Sequence, residues 1–77
     1  MTHESPSYFV IPIFRDEQGR PALGSRFDCR SRDNAMGLAR WFVGRFLGAA
    51  VQTAGDRQVV ATFGEIPLAL RTQLAGE

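Results

Sequence analysis

The order of elements predicts an α+β domain, with strands and helices in the order ββαββα, a four-stranded and mostly antiparallel sheet, and one long helix packed on one face. Three observations lead there. Aromatic and β-branched residues crowd "SYFVIPIF"; "SRDNAMGLARWFVGRFL" repeats its apolar positions at helical spacing; and a short polar turn separates "AAVQTA" from "RQVVATF".

Taken in order, residues 1–6 read as a disordered leader, polar and closed by Pro6, and residues 7–77 as a single small domain. Strand "SYFVIPIF" is apolar on both sides, with Phe9, Ile11 and Ile13 on one face and Tyr8, Val10 and Phe14 on the other. It therefore needs cover twice. Pro12, which has no N–H to give to a ladder, argues that this strand lies at an edge or carries a bulge, covered by the C-terminal segment or by a second subunit. After the polar connection "RDEQGRP", the segment "ALGSRFDCR" alternates, setting Leu23, Ser25, Phe27 and Cys29 against Gly24, Arg26, Asp28 and Arg30. Cys29 then belongs to the core as a small apolar residue.

Ser31 is placed to cap a helix and Asp33 to complement its dipole. The helix is expected to run to about Leu47, with Gly48 as its terminator. Ala35, Ala39, Phe42, Val43 and Phe46 fall on one side, facing the sheet, with Met36 and Leu38 at its flanks. Gly37, Trp41, Gly44 and Gly48 make a second stripe on the opposite side. Each interior glycine costs about 1 kcal/mol relative to alanine, a sizeable sum for a small domain. A surface on which another backbone approaches closely beside a tryptophan would repay that cost, with Arg40 and Arg45 as a polar rim. The competing explanation is that Trp41 packs on the leader or the C-terminal helix of its own chain. Beyond the helix, "AAVQTA" and "RQVVATF" form a hairpin around Gly55-Asp56, and Pro67 opens a short helix, "PLALRTQLA".

A chain of 77 residues leaves about 40% of its unfolded surface exposed, so its stability margin is thin. With Cys29 the only cysteine and His3 the only histidine, no intrachain disulfide and no cysteine/histidine zinc site can form. Association with another subunit is the remaining device. Neither a signal peptide nor a membrane-length apolar run is visible, so a cytoplasmic protein is expected. The 9 basic residues are all arginine and 8 acidic residues offset them to a net charge of +1, which is not the excess typical of nucleic-acid binders. Ser5, Ser7, Ser25 and Ser31 have no histidine base apart from His3, Asp16 and Glu17 read as a solvated loop pair, and neither a Walker loop nor a dinucleotide fingerprint occurs. No catalytic, cofactor or metal residues are assigned, and the chain is read as a non-enzyme.

Several stretches resemble a group of small bacterial proteins of unknown function: "PIFRDEQGRP" after the aromatic strand, "SRDNAMGLARWFVGRF", "GAAV" and the closing "VVATFGEIP". Members of that group carry a longer acidic, glycine-rich insert where this chain has only "TAGDR". The resemblance implies a compact α/β fold and carries over no functional residues. Function is therefore expected to lie in association: a homodimer or a protein partner docking through Gly37, Trp41, Gly44 and Gly48. The alternative is a nucleic-acid-binding module in which Arg26, Arg30, Arg32, Arg40 and Arg45 hold phosphates while a base stacks on Trp41.

Overall fold

The computed structural model describes residues 7–75, so the expected leader lies outside the described residues. Its elements are β1 (Tyr8–Arg15), β2 (Pro21–Leu23), β3 (Phe27–Cys29), α1 (Arg32–Val43), β4 (Gly48–Thr53), β5 (Val59–Gly64) and α2 (Leu68–Ala75). All pairings are antiparallel. The sheet runs β2-β1-β4-β5, with β3 also beside β1. The α+β class and the antiparallel sheet are as expected. Five strands replace the expected four, and the expected long helix is a 12-residue one.

The fifth strand arises from Pro12. Far from lying at an edge, β1 is central, paired with β4 on one side and with β2 and β3 on the other. Gly24 N–H donates to the Pro12 carbonyl at 2.8 Å, so the polar groups of Pro12 face the β2/β3 side. Its missing N–H falls there too, and the ladder breaks at that point. Ile13 pairs with Leu23 and Val10 with Phe27, so three residues (24–26) on one strand answer two (11–12) on the other. One extra residue is a bulge. It also reverses the faces: Leu23 joins the Ile11 and Ile13 cluster, while Cys29 joins Val10 on the other side. The continuous alternation expected over "ALGSRFDCR" is therefore broken in its middle.

Both faces of β1 are covered from within the chain. Val10, Cys29, Ala49 and Val51 pack under Ala35, Ala39 and Phe42 of α1. On the opposite face, Ile11, Ile13 and Ala50 pack under Ile66, Leu70 and Leu74 of the C-terminal segment. The sheet thus sits between two helices. Each fully buried aliphatic side chain in these layers contributes about 1.5–3 kcal/mol. Among the described residues Gln52 is the buried polar one, and its side-chain amide donates to the Leu74 carbonyl at 2.9 Å and the Arg57 carbonyl at 3.2 Å. Those two bonds tie the end of α2 to the β4–β5 turn.

Ser31 caps α1 as expected, its hydroxyl accepting from Asn34 N–H at 3.1 Å. The helix ends at Val43 instead of Leu47, and Gly44 is its C-cap with a right-handed φ of −74°. After it the turn tightens, with Arg45 N–H donating to the Phe42 carbonyl at 2.9 Å. Leu47 N–H already donates to Ile13 at 2.8 Å, so the chain has re-entered the sheet before another helical turn could form. Gly48 consequently belongs to β4, paired with Ile13 and Gly64. The β4–β5 connection covers residues 54–58 and is longer than the expected two-residue turn. In it the Thr53 hydroxyl bonds the Asp56 carboxylate, and the Gln58 amide donates to both side chains.

A side chain at Gly48 would collide with backbone, its Cβ lying 2.5 Å from the Phe63 carbonyl oxygen and 2.9 Å from that of Glu65. Neither neighbour can yield without opening the β4–β5 ladder. Gly48→Ala is therefore expected to destabilise the fold by more than about 2 kcal/mol, an effect of the overpacking kind, read as a lower urea midpoint. A midpoint within error of wild type would show that the ladder end is free to move.

Candidate interaction surface

The predicted glycine–tryptophan stripe is divided by the early end of α1. Gly37 and Trp41 lie one turn apart on the helix and are exposed, Gly44 is the cap, and Gly48 is buried in β4. Gly48 thus leaves the helix face and is removed from the predicted surface for this reason. Among the described residues nothing comes within 4 Å of where a Cβ would stand at Gly37, and at Gly44 the Trp41 carbonyl is 3.6 Å away.

In place of the stripe, exposed aromatics gather around Phe42. That ring is 3% exposed and meets Phe27 at 5.1 Å, Phe46 at 5.4 Å and Trp41 at 5.6 Å between centroids. Its three neighbours remain open to water, with Trp41 53%, Phe27 45% and Phe46 38% exposed, and Val43 is partly exposed at 37%. Edge-on and tilted contacts of this kind favour a fixed arrangement of rings. The Arg45 guanidinium lies 4.2 Å from the Trp41 ring centroid, covering one face of the indole by a cation–π contact. Beside the rings an open cleft of about 570 Å³ is lined by Phe14, Arg15, Gly44, Arg45, Phe46 and Leu47. Arg15 donates to the Gly19 carbonyl at 2.8 Å, which holds its own loop in place.

Sequence reasoning missed Phe27, Val43 and Phe46 as surface residues. Unbroken alternation puts Phe27 in the buried set, and the bulge interrupts that alternation. A helix extended past Gly44 would turn Val43 and Phe46 to the sheet side, and α1 stops short of it. A glycine followed by arginine within "VGRFLG" was the available signal for an earlier stop.

The five arginines of the nucleic-acid alternative do not share one face. Arg26 stacks at 4.7 Å over Phe9 and lines a cavity with Ile11, Gln52 and Leu74, which is the α2 side of the sheet. Arg45 lies on Trp41, and Arg32 and Arg40 are on α1. Arg30, exposed after β3, has an interaction of its own. Among the described residues no group of three or more His, Cys, Asp or Glu side chains is placed to hold a metal ion. Among those residues no helix is long and apolar enough to cross a membrane. Cys29 is buried, and burial, then the negative charge of Asp28, pushes its thiol above the ordinary range.

Two outcomes follow. Gly37→Ala, which adds a methyl where nothing stands, is expected to raise stability by up to about 1 kcal/mol, measured by urea unfolding; a loss would reveal a contact at this face. The folded chain holds the Cys29 proton more tightly than the unfolded chain does. The stability this confers is complete below the unfolded thiol's pKa and is lost as pH rises through the folded one. Melting temperature is therefore expected to fall more steeply above the ordinary thiol range in wild type than in Cys29→Ala, and equal slopes would refute the assignment. Comparisons with family models, with curated proteins and with solved structures find no match to this chain.

Proposed function

We propose that the protein is a non-enzymatic protein-interaction module whose recognition surface is the aromatic group formed by Trp41, Phe27 and Phe46 around Phe42. The observation that carries this reading is the exposure of three large rings packed on one buried ring. Large rings fixed in place lose little side-chain entropy when covered, which is why aromatic and arginine residues dominate binding energetics. The helix beneath them is anchored by Ala35, Ala39 and Phe42, so the surface is rigid before a partner arrives.

The neighbouring cleft indicates the chemistry of the partner. Phe14, Phe46 and Leu47 supply apolar walls, and Arg15 and Arg45 supply positive charge. A protein presenting an apolar side chain next to a carboxylate fits both. Arg45 already covers one face of the indole, so the exposed side of Trp41 is left for apolar contact. Nucleic-acid binding is the less favoured reading, because Arg26 and Arg45 are on different faces of the sheet.

Trp41→Glu places a charge in the middle of the rings while leaving Phe42 buried. Partner binding, followed by pull-down and calorimetry on the full chain, is expected to weaken by at least about tenfold, equivalent to about 1.4 kcal/mol. Affinity unchanged in Trp41→Glu and in Phe46→Ser would refute this surface. An interaction of apolar character is expected to hold its affinity between low and moderate salt, whereas a nucleic acid would lose it steeply over the same range.

A further inference from the structure

On the α2 side of the sheet lies a cavity of about 180 Å³, lined in part by Ile11, Leu23 and Leu74, with Arg26, Arg57 and Gln52 among its polar groups. It is smaller than the roughly 300 Å³ at which sites for drug-sized ligands begin. An occupant is therefore a small molecule.

Gln52 supplies the first sign of what that molecule carries. The residue is 3% exposed, and its Nε2 is fixed between the Leu74 and Arg57 carbonyls. Turning the amide round would set its oxygen against two others, so the assignment of the two ends is secure. Among the described residues no donor reaches Oε1. None of their buried side-chain polar atoms lacks a partner, so Oε1 is not sealed in, and the residue opens on the cavity it lines. A nearly buried acceptor there calls for a donor from whatever fills the space.

The two arginines supply the charge. Arg26 is steadied by its cation–π contact, 4.7 Å from the Phe9 ring centroid. Arg57 enters from the β4–β5 turn with a φ of 58°, the one positive value among the described residues other than glycine. Its N–H donates to the Thr53 carbonyl at 3.0 Å and its carbonyl accepts from Gln52, which fixes the backbone from which its side chain leaves. An arginine held where glycine would be easier points to a task for the side chain. Among the described residues neither guanidinium has a carboxylate at ion-pair distance. Asp28 stands opposite Phe9 on β3 and Asp56 precedes Arg57, but neither lines the cavity, and Asp56 is held by Thr53 and Gln58.

We propose that the cavity binds a small aliphatic hydroxycarboxylate, its carboxylate at Arg26 and Arg57, its hydroxyl donating to Gln52 Oε1 and its hydrocarbon part on Ile11, Leu23 and Leu74. Guanidinium groups suit carboxylate and phosphate alike, and the apolar lining selects the organic anion. An ammonium donor would meet two like charges, so the donor is a hydroxyl. The site lies across the sheet from Phe42, and the proposal does not rest on the aromatic surface.

The test is titration of the full chain with leucic acid, the hydroxy acid bearing a leucine side chain, followed by calorimetry and by NMR of the Ile11, Leu23 and Leu74 methyl groups. Saturable binding with a Kd of about 1 mM or below is expected, with those methyl signals shifting. Isocaproic acid, the same molecule without its hydroxyl, is expected to bind about fivefold more weakly. Inorganic phosphate is expected to be weaker by about tenfold or more. Arg57→Gly suits the left-handed backbone, so it is expected to keep at least the wild-type urea midpoint while losing about tenfold in affinity. Arg26→Gln is expected to lose a similar factor and provides a second variant should the turn itself depend on Arg57. Absence of saturable binding overturns the proposal. So does phosphate binding as tightly as leucic acid, or an affinity that survives both Arg57→Gly and Arg26→Gln. Equal affinity for the two acids overturns the role given to Gln52.

Discussion

β1 is the strand on which the molecule depends, and Pro12 is its governing constraint. A strand whose residues 8–14 are apolar on both faces cannot be covered by one helix, so the sheet must lie between two layers. Centrality normally excludes proline. Here the missing donor is turned toward β2 and β3, where the Pro12 carbonyl still accepts from Gly24 and the pairing strand leaves the ladder for one extra residue. A single absent hydrogen bond thereby divides one strand into two.

That division reaches the surface proposed for recognition. With uninterrupted alternation Leu23 and Phe27 would share a face, and the Phe27 ring would lie on the α2 side. The bulge turns Phe27 to the α1 side, where it meets Phe42 at 5.1 Å. Phe46 arrives by a second departure from regularity, the tightened turn after Gly44 that feeds Leu47 into the sheet. The aromatic group is thus assembled from a bulged strand, a helix and the turn beyond that helix. Its one buried member, Phe42, is also part of the core, which couples the exposed rings to the rigidity of the fold.

Much of this architecture was legible in the residues, and the failures have physical causes. The two apolar faces of β1, the Ser31 cap and the burial of Ala35, Ala39 and Phe42 follow from local pattern, whereas that pattern leaves the cover of β1 open between the C-terminal segment and a second subunit. The effect of Pro12 does not follow from it either, because sequence alone leaves open toward which neighbour its nitrogen points. With β1 at an edge no bulge is needed, and "ALGSRFDCR" reads as one strand. The end of α1 is not legible at Gly44, which adopts right-handed geometry and carries no left-handed signature. What stops the helix is a long-range demand, the bond from Leu47 to Ile13. Trp41 was legible as an exposed anchor, but its neighbours depend on both of these tertiary facts.

The glycines of "GLARWFVGRFLG" looked like one stripe and have different causes. Gly48 lets two backbones come together where β4 meets β5, and Gly44 occupies the cap from which the chain turns toward the sheet. Gly48 is required by the fold of one chain, whereas at the right-handed Gly44 an added Cβ would meet only the Trp41 carbonyl, at 3.6 Å. Gly37 is not required either, since among the described residues nothing stands within 4 Å of a Cβ there and an alanine would be favoured by about 1 kcal/mol. A residue that weakens its helix without relieving any contact among the described residues fits the surface we propose, on which another backbone would come close. Gly37 lies one turn before Trp41 on the exposed side of α1, so that outside body would approach the helix backbone where the aromatic group begins. Of the residues that first suggested an association face, Gly37 and Trp41 therefore remain part of the surface we propose, and Phe27 and Phe46 extend it.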